Sequence, residues 1–496
     1  MYSSLSNLFS SDLILLIPSF FLISTLLIII IYSVFQSNNL FSRFLVEDVI
    51  LKVSFSFFLL IFLMLNQVAL EWKSFNFYFS WDCLSNVSLV FILIVSIMLL
   101  ISSYNYFKYE EIFNFEFGIL VYFYVIGVYL LFLSNDFFSL YLGVELQSFV
   151  LYVLCAYKRD AFSSESGLKY FVLGAFSSGI LLFGVSLIYG FTGSTNFDDV
   201  YSLFLPELGF LTSNNGFLVG LFFFSAGFLF KLGVFPFHMW VPDAYEGAPM
   251  IVTTILASLS KFVVAVAFIK IYMYVFFSFS FYWYRVFLVL GLLSVIYASL
   301  AALYQDKIKR LLAYSGIAHM GYVLLAISSN SIEGFFAAYY YLFVYSLTGL
   351  AVFVILLSVR KYTDFSKIKS LSDFTSLFRN NSVIAFSFSI FMFSLAGVPP
   401  LAGFFSKVFV FLSLVKVGSY LASIIVIVTS VISSVYYLWI IKIIFFKDYD
   451  VKTYYVPINL VQSNIILLVL FFNVFVILFQ NAASVWLINL IFSWYF

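Results

Sequence analysis

Apolar stretches long enough to cross a lipid bilayer follow one another along the whole chain. A hydrocarbon core about 30 Å thick needs about 20 apolar residues per helix, and a helix satisfies its own backbone hydrogen bonds there. Of the 496 residues, 64% are hydrophobic and only 9% are charged, a balance that a water-soluble domain does not have. The sequence therefore predicts an all-α, polytopic membrane protein of about fourteen transmembrane helices, with lipid as its solvent. The predicted spans are residues 11–35, 49–66, 84–103, 116–133, 137–156, 168–191, 217–241, 250–275, 284–304, 309–329, 334–358, 383–414, 420–446 and 461–489.

The charged and metal-binding residue types exclude several classes of protein. The formal net charge is +1, so no nucleic acid or other polyanionic partner is expected. Cys83 and Cys155 stand in unrelated segments, and the histidines are His238 and His319, without metal-ligand spacing. The sequence has no Gly-rich dinucleotide loop and no phosphate loop. We therefore expect neither a cofactor nor a metal ion in this chain.

Lysine and arginine orient the predicted spans. Loops after even-numbered spans contain mainly Lys73, Lys416 and Arg285, whereas loops after odd-numbered spans contain most of the others. The second group should face the positive-inside compartment, with both termini on the opposite side. Because 69 Phe and 36 Tyr residues indicate an AT-rich organelle gene, we predict the mitochondrial inner membrane, with both termini in the intermembrane space, rather than a bacterial membrane. The second group is Arg43, Lys108, Lys158, Arg159, Lys307, Arg360, Lys361, Lys367, Lys369, Arg379, Lys447 and Lys452.

A Gly-Val-x-Pro motif occurs in the seventh and the twelfth predicted spans, as Gly233 to Pro236 and Gly397 to Pro400. A repeat unit of five helices would insert its second copy upside down, as in ion-coupled transporters. Chance similarity between apolar sequences is the alternative. The repeat predicts three N-terminal helices in residues 1–115, a five-helix repeat in 116–275, an inverted repeat in 284–446 and a C-terminal helix in 461–496.

Proline predicts where two of these helices break. Pro236 in the seventh span, and Pro399 with Pro400 in the twelfth, remove backbone donors and should make both helices discontinuous. Lys231 precedes the first break by one turn, and Lys407 follows the second by two turns. Freed backbone groups and water can gather beside both lysines.

Four charged residues fall in the middle of predicted spans: Glu145, Lys231, Lys261 and Lys407. Each costs about 2.5 to 3.5 kcal/mol at the bilayer centre, so such residues usually have a function. A lysine in a low-dielectric site can change protonation near neutral pH, and a nearby carboxylate favours its charged form. We expect Glu145 to pair with Lys231, Lys261 to relay protons, and Lys407 to end the path. For any single lysine, a snorkelling or cross-helix stabilising role is the alternative.

His319 is a further candidate relay in the tenth span. Ser315 lies four residues earlier, so both side chains share one helical face and could carry protons through water. A histidine that only packs between helices is the alternative.

The run from Phe235 to Pro249, together with Glu145 and Lys231, resembles the antiporter-like subunits of respiratory complex I and of the related multisubunit cation/proton antiporters. The run from Asp306 to Ser315 fits the same family. Lys407 stands where the chain 4 type is expected to have a glutamate, so the resemblance is greatest to the chain 2 type of NADH–ubiquinone oxidoreductase.

This resemblance implies a membrane-arm subunit that helps to couple quinone reduction to proton pumping. It implies that NADH, FMN, iron–sulfur clusters and ubiquinone are bound by other subunits, and that neighbouring antiporter-like subunits are partners. It also implies proton-translocating roles for Glu145, Lys231, Lys261 and Lys407, and a relay role for His319. A subunit of a cation/proton antiporter and a structural membrane-arm subunit are the alternatives.

Overall fold

The computed structural model describes residues 2–37, 42–65, 72–74, 78–110, 112, 114–204, 215–361, 368–375, 377–447 and 455–495, and nearly all of them lie in helices. Two short strands, β1 (Trp72–Ser74) and β2 (Phe79–Trp81), form an antiparallel hairpin. The helices are α1 (Tyr2–Gln36), α2 (Ser42–Leu65), α3 (Cys83–Glu110), α4 (Glu116–Leu133), α5 (Phe137–Cys155), α6 (Ala161–Thr192), α7 (Phe197–Leu203), α8 (Asn215–Leu232), α9 (Trp240–Gly247), α10 (Met250–Thr254), α11 (Lys261–Tyr274), α12 (Ser280–Ala302), α13 (Ile308–Ser328), α14 (Ile332–Ser358), α15 (Leu377–Asn380), α16 (Ser382–Ala396), α17 (Ala402–Lys416), α18 (Tyr420–Phe446) and α19 (Leu460–Tyr495).

The predicted polytopic, all-helical fold is confirmed. Within the described residues, 13 helical segments are long and apolar enough to cross a membrane, and α16 is a shorter apolar helix. Helix α16 and the following α17 together occupy the twelfth predicted span. Some boundaries differ from the prediction: α6 begins at Ala161 rather than at residue 168, because its first turns are polar and do not resemble a membrane span in the sequence. The hairpin and α7 were not predicted.

The chain divides into two compact units, of which the first contains Met1–Leu154 and Ser178–Ser225. In this unit the loops after the second, fourth and sixth predicted spans meet. Phe79 forms a β-bridge with Ser134, and Asp136 forms one with Asn196. Lys73 Nζ lies 2.7 Å from Asp198 Oδ2. These loops therefore lie at one side of the unit, as an alternating helical topology requires.

The second unit contains Cys155–Ser177 and Ala226–Phe492. Its core is formed by α10 to α11, α13 and α14, whose side chains are buried almost throughout their length. Helix α18 instead exposes a row of large apolar side chains and is buried along one side only. An apolar exposed side is what lipid requires of an outer helix.

Both predicted helix breaks are present in the structure. Helix α8 ends before Gly233 (φ +72°), and α16 ends before Gly397 (φ +87°). At each break the glycine N–H and the next N–H, of Val234 or Val398, donate back to the last turn. This arrangement is the glycine-terminated helix end that a left-handed residue allows. The two breaks thus share one backbone hydrogen-bond pattern, whereas the inverted repeat itself stays a prediction.

One irregularity in the eighth span was not predicted. Residues Ile255–Ser260 form a π-helical turn between α10 and α11, immediately before Lys261. A π-helical turn inserts an extra residue into the helix and is frequent at functional sites. The sequence does not reveal this turn through its apolar periodicity, because every residue of the turn is buried and no exposed side marks the helical period.

Candidate functional site

Lys261 is the most deeply buried of the predicted site lysines, with 2% of its surface exposed. It is the first residue of α11, after the π-helical turn. Among the described residues its Nζ has no hydrogen-bond partner. Two aromatic rings lie near Nζ instead: it is 5.4 Å from the ring centroid of Tyr245 and 5.9 Å from that of Tyr345. The ring faces attract a cation without fixing it in an ion pair.

Gly316 makes room for this ammonium group. A Cβ atom added at Gly316 would overlap Lys261 Nζ and would press on the Tyr345 hydroxyl. Gly316 lies in α13, one turn before His319. The missing side chain therefore brings Lys261 close to the helix that carries the histidine.

His319 is buried between two tyrosine hydroxyl groups. Its Nδ1 lies 2.6 Å from Tyr341 Oη and its Nε2 lies 3.0 Å from Tyr437 Oη. In a neutral imidazole one nitrogen donates and the other accepts, and a hydroxyl can do either. The Tyr345 ring, which also faces Lys261, lies 4.9 Å from the imidazole ring. His319 can therefore take a proton at one nitrogen and release it from the other.

Lys407 lies near the histidine, at the second helix break, and lines a cavity with it. Its Nζ donates to the Ala396 carbonyl, at 2.7 Å, a group that the end of α16 leaves without an intrahelical partner. Nζ also lies 5.7 Å from the ring centroid of Tyr322, which stacks on Tyr341 at 6.0 Å. We call Lys261, His319 and Lys407, with the three tyrosines between them, the lysine–histidine cluster. Those tyrosines are Tyr322, Tyr341 and Tyr345.

A small cavity lies between His319 and Lys407. Its volume is about 10 Å³, the size that holds a single water molecule. Several of its lining residues carry a hydroxyl group, which can serve as a hydrogen-bond partner for a water. Its polar lining side chains are His319, Tyr341, Tyr345, Thr348, Ser394, Ser406 and Lys407.

Glu145 and Lys231 lie in the helices where the sequence placed them. Glu145 is in the middle of α5, with 9% of its surface exposed, and Lys231 is in the last turn of α8, with 8% exposed. The last turn of a helix favours a cation, because carbonyl groups there have no intrahelical partner. The pairing of Glu145 with Lys231 stays a prediction.

A second charged region, which the sequence analysis did not predict, lies at the surface of the second unit. The carboxylates of α9 form its centre: Arg310 Nη2 lies 3.0 Å from Asp243 Oδ1, and Arg310 Nε lies 2.6 Å from Glu246 Oε2. Lys169 reaches Asp243 at 3.5 Å, and Lys307 pairs with Glu246. These groups line a cleft of about 470 Å³, which we call the ion-pair cleft. In the sequence, all of these charged residues except Lys169 belong to the runs from Phe235 to Pro249 and from Asp306 to Ser315, which carry the family resemblance.

The same cleft bears on the predicted orientation. Lys158, Lys307 and Lys369 all line it, although they follow the fifth, ninth and eleventh predicted spans. Three loops of the predicted positive-inside group therefore meet at one side of the second unit. This agrees with an alternating topology; which compartment that side faces stays a prediction.

Comparison with known proteins decides the family. The sequence profile of the NADH:quinone oxidoreductase/Mrp antiporter transmembrane family matches residues 134–433. NADH-ubiquinone oxidoreductase chain 2 of Marchantia polymorpha is 37% identical over 96% of this chain and 97% of its own length. The chain belongs to this antiporter-like family.

Other family members extend the match to bacteria and to a solved structure. NADH-quinone oxidoreductase subunit N of Rhodospirillum rubrum is 40% identical over 72% of each chain. A chain of respiratory complex I from Thermus thermophilus, solved with bound aureothin, superimposes with a TM-score of 0.77 at 25% identity, over 93% of this chain and 98% of that one. The antiporter-like fold and the resemblance to chain 2 are thereby confirmed.

Proposed function

We propose that this chain is a proton-translocating membrane-arm subunit of NADH:ubiquinone oxidoreductase, and that the lysine–histidine cluster conducts the protons. The similarity to chain 2 and subunit N proteins along nearly the whole chain supports the first part. The second part rests on one observation: two buried or half-buried lysines flank a buried histidine through a continuous series of tyrosines.

The geometry of the cluster suits groups that gain and lose protons rather than charges held fixed in ion pairs. Among the described residues no carboxylate pairs with Lys261 or Lys407. Their protons are therefore not held by an ion pair, and either protonation state can exist without a carboxylate being left unpaired. His319 between them has a hydroxyl group at each ring nitrogen and can pass a proton in either direction. A water in the small cavity would extend the path to Lys407.

Glu145 and Lys231 belong to the same proposal as the beginning of the path. Their burial in membrane-spanning helices and the family resemblance support it. The shared hydrogen-bond pattern of the two breaks supports the inverted repeats, residues 116–275 and 284–446. The remaining proposed segments are the three helices of residues 1–115 and the C-terminal helix of 461–496.

In this proposal the redox chemistry takes place elsewhere in the complex. NADH, FMN, iron–sulfur clusters and ubiquinone would be bound by other subunits, and this chain would contact neighbouring antiporter-like subunits and lipid. We place it in the mitochondrial inner membrane, with both termini on the intermembrane-space side. The gathering of Lys158, Lys307 and Lys369 at one side supports that orientation.

The test compares Lys261→Ala and Lys407→Ala in the purified complex, reconstituted into liposomes. We expect normal assembly and a rate of proton translocation that is at least about tenfold lower, because a positioned proton-transfer group contributes about 100-fold or more to the rate. Lys416→Ala is the control, since Lys416 is exposed and pairs with Glu333 at the surface.

Each alternative function has its own outcome. Unchanged pumping in both variants would overturn the proposal for the cluster. Loss of assembly in both variants, but not in the control, would favour a structural subunit. Sodium/proton exchange by the isolated chain in liposomes would favour an antiporter.

A further inference from the structure

Ser394 connects three helices at the second break. It lies in the last turn of α16, and its Oγ accepts a hydrogen bond from the Gly403 N–H at 3.2 Å. The same hydroxyl donates to Asn473 Oδ1 of α19 at 2.9 Å. The side chains of Ser394 and Asn473 are fully buried, with 0% exposed. A buried polar chain of this kind forms only where every member has its partner.

Gly403 explains why a hydroxyl from another helix is needed. The first N–H groups of any helix lack an intrahelical acceptor, and the residue before the helix usually supplies one. In α17 that residue is Leu401, whose side chain cannot accept. Ser394 supplies the acceptor instead. A Cβ atom at Gly403 would overlap the Ser394 carbonyl, so the two half-helices touch backbone to backbone.

Asn473 fixes the direction of the serine hydroxyl. Its Nδ2 donates to the Val469 carbonyl, one turn earlier in α19, at 3.1 Å. This bond turns Oδ1 toward Ser394. The amide therefore determines which way Ser394 Oγ donates, and leaves its lone pairs for Gly403.

The same contacts determine the position of Lys407. Lys407 follows Gly403 by one turn of α17, and its Nζ donates to Ala396, two residues after Ser394. The distance from Nζ to its acceptor thus depends on the separation of α16 and α17, which the Ser394–Gly403 contact fixes. Ser394, Gly403 and Lys407 also line the same small cavity.

We infer that Asn473 and Ser394 are positioning residues for Lys407: together they hold the two half-helices of the second break at the separation that places the lysine at the cavity beside His319. The inference rests on the proposed function, because it assigns Lys407 to the proton path. Asn473 lies outside the 134–433 region that matches the family profile, so the C-terminal helix completes a site that the profile region does not complete alone.

The experiment uses Ser394→Ala, Asn473→Leu and the double variant, each in the whole reconstituted complex. Each single variant leaves a buried polar group without its partner and should reduce assembly. The double variant leaves only the Gly403 N–H without its acceptor, so it should assemble better than Ser394→Ala, which also leaves Asn473 Oδ1 unpaired. We expect its rate of proton translocation to stay about tenfold below wild type, since small displacements of a reacting group have large effects on rate. Ser387→Ala is the matched control, because Ser387 is buried in the same helix and donates to Ile384, within its own helix.

A second readout separates positioning from stability. Among complexes that assemble, Ser394→Ala and the double variant should change the pH profile of proton translocation in the same direction, and Ser394→Thr, which keeps the hydroxyl, should restore the wild-type profile. Wild-type translocation and pH profile in the double variant would overturn the inference. If Lys407→Ala pumps normally, the proposed function fails instead; if only Lys407→Ala loses pumping, the inference alone fails.

Discussion

The lysine–histidine cluster and the ion-pair cleft lie in the same unit and use basic residues in opposite ways. In the cleft, Arg310 contacts Asp243 and Glu246, and Lys307 shares Glu246. In the cluster, Lys261 faces aromatic rings and Lys407 donates to a backbone carbonyl. The paired charges are at the partly exposed surface, whereas the charges without carboxylate partners are inside.

This contrast is the opposite of what the desolvation cost of a buried charge usually produces. A charge inside a protein is normally paired, because an unpaired one is expensive to desolvate. Surface ion pairs contribute little to stability. One buried and one half-buried lysine without a carboxylate partner among the described residues therefore indicate a use other than stability. The short helix α9 lies next to both regions, since Glu246 belongs to the cleft and the ring of Tyr245 faces Lys261.

The strongest test of the contrast is a methyl group placed against Lys261. Gly316→Ala adds a Cβ that overlaps Nζ, so the flexible end of the lysine must move away. We expect normal assembly and at least about tenfold lower proton translocation, because displacement of about 1 Å can cost about 100-fold. Gly349→Ala is the control: the added Cβ meets no atom within 4 Å. Equal pumping in the two variants would show that the position of Lys261 is not critical.

The reverse result is expected at the cleft. Arg310→Ala leaves Asp243 and Glu246 with only their lysine partners, and we expect a destabilisation of about 1 to 2 kcal/mol from two partly exposed ion pairs. A lower thermal midpoint of the purified complex would measure it, while translocation stays within about twofold of wild type. Arg285→Ala, which removes an exposed arginine stacked on Phe281, is the control. A large loss of pumping at unchanged stability would place the cleft in the proton path.

Much of the fold follows from the sequence because lipid imposes simple rules. Apolar length predicts the spans, and proline predicts the breaks at Pro236 and Pro399, since both effects are local to the backbone. The π-helical turn before Lys261 was not predictable, because it depends on tertiary packing rather than on residue type.

The candidate site was predictable in its residues but not in its contacts. Buried charge is rare enough that Lys261 and Lys407 stand out by composition alone. The tyrosines were not distinguishable among 36, since a tyrosine in a span is as often an interfacial residue as a buried one. Asn473 and Ser394 were missed for a related reason: their interaction joins helices far apart in sequence, and neither residue is unusual in its own helix.

The smallest expected effect concerns the segment that carries Lys369 to the cleft. Burial alone would raise the pKa of the Asp373 carboxyl, but hydrogen bonds from Lys361 and from the N–H groups of Ser370 and Lys369 lower it from 3.8 to about 2. A lowered pKa stabilises the fold above the unfolded value, and this contribution is lost as the pH falls through the folded one. Asp373→Asn should therefore destabilise the complex by on the order of 1 kcal/mol, equally at every pH from about 5 to 8.

The measurement is the difference in thermal midpoint between wild type and Asp373→Asn as a function of pH. A constant difference above pH 5, shrinking between pH 4 and 2, would mean that this carboxylate keeps its charge wherever the complex works. Proton translocation should be unchanged in the variant. A difference that instead varies between pH 6 and 8 would mean that the paired charges of this surface also change protonation there. The distinction between a surface that holds its charges and an interior that moves them would then fail.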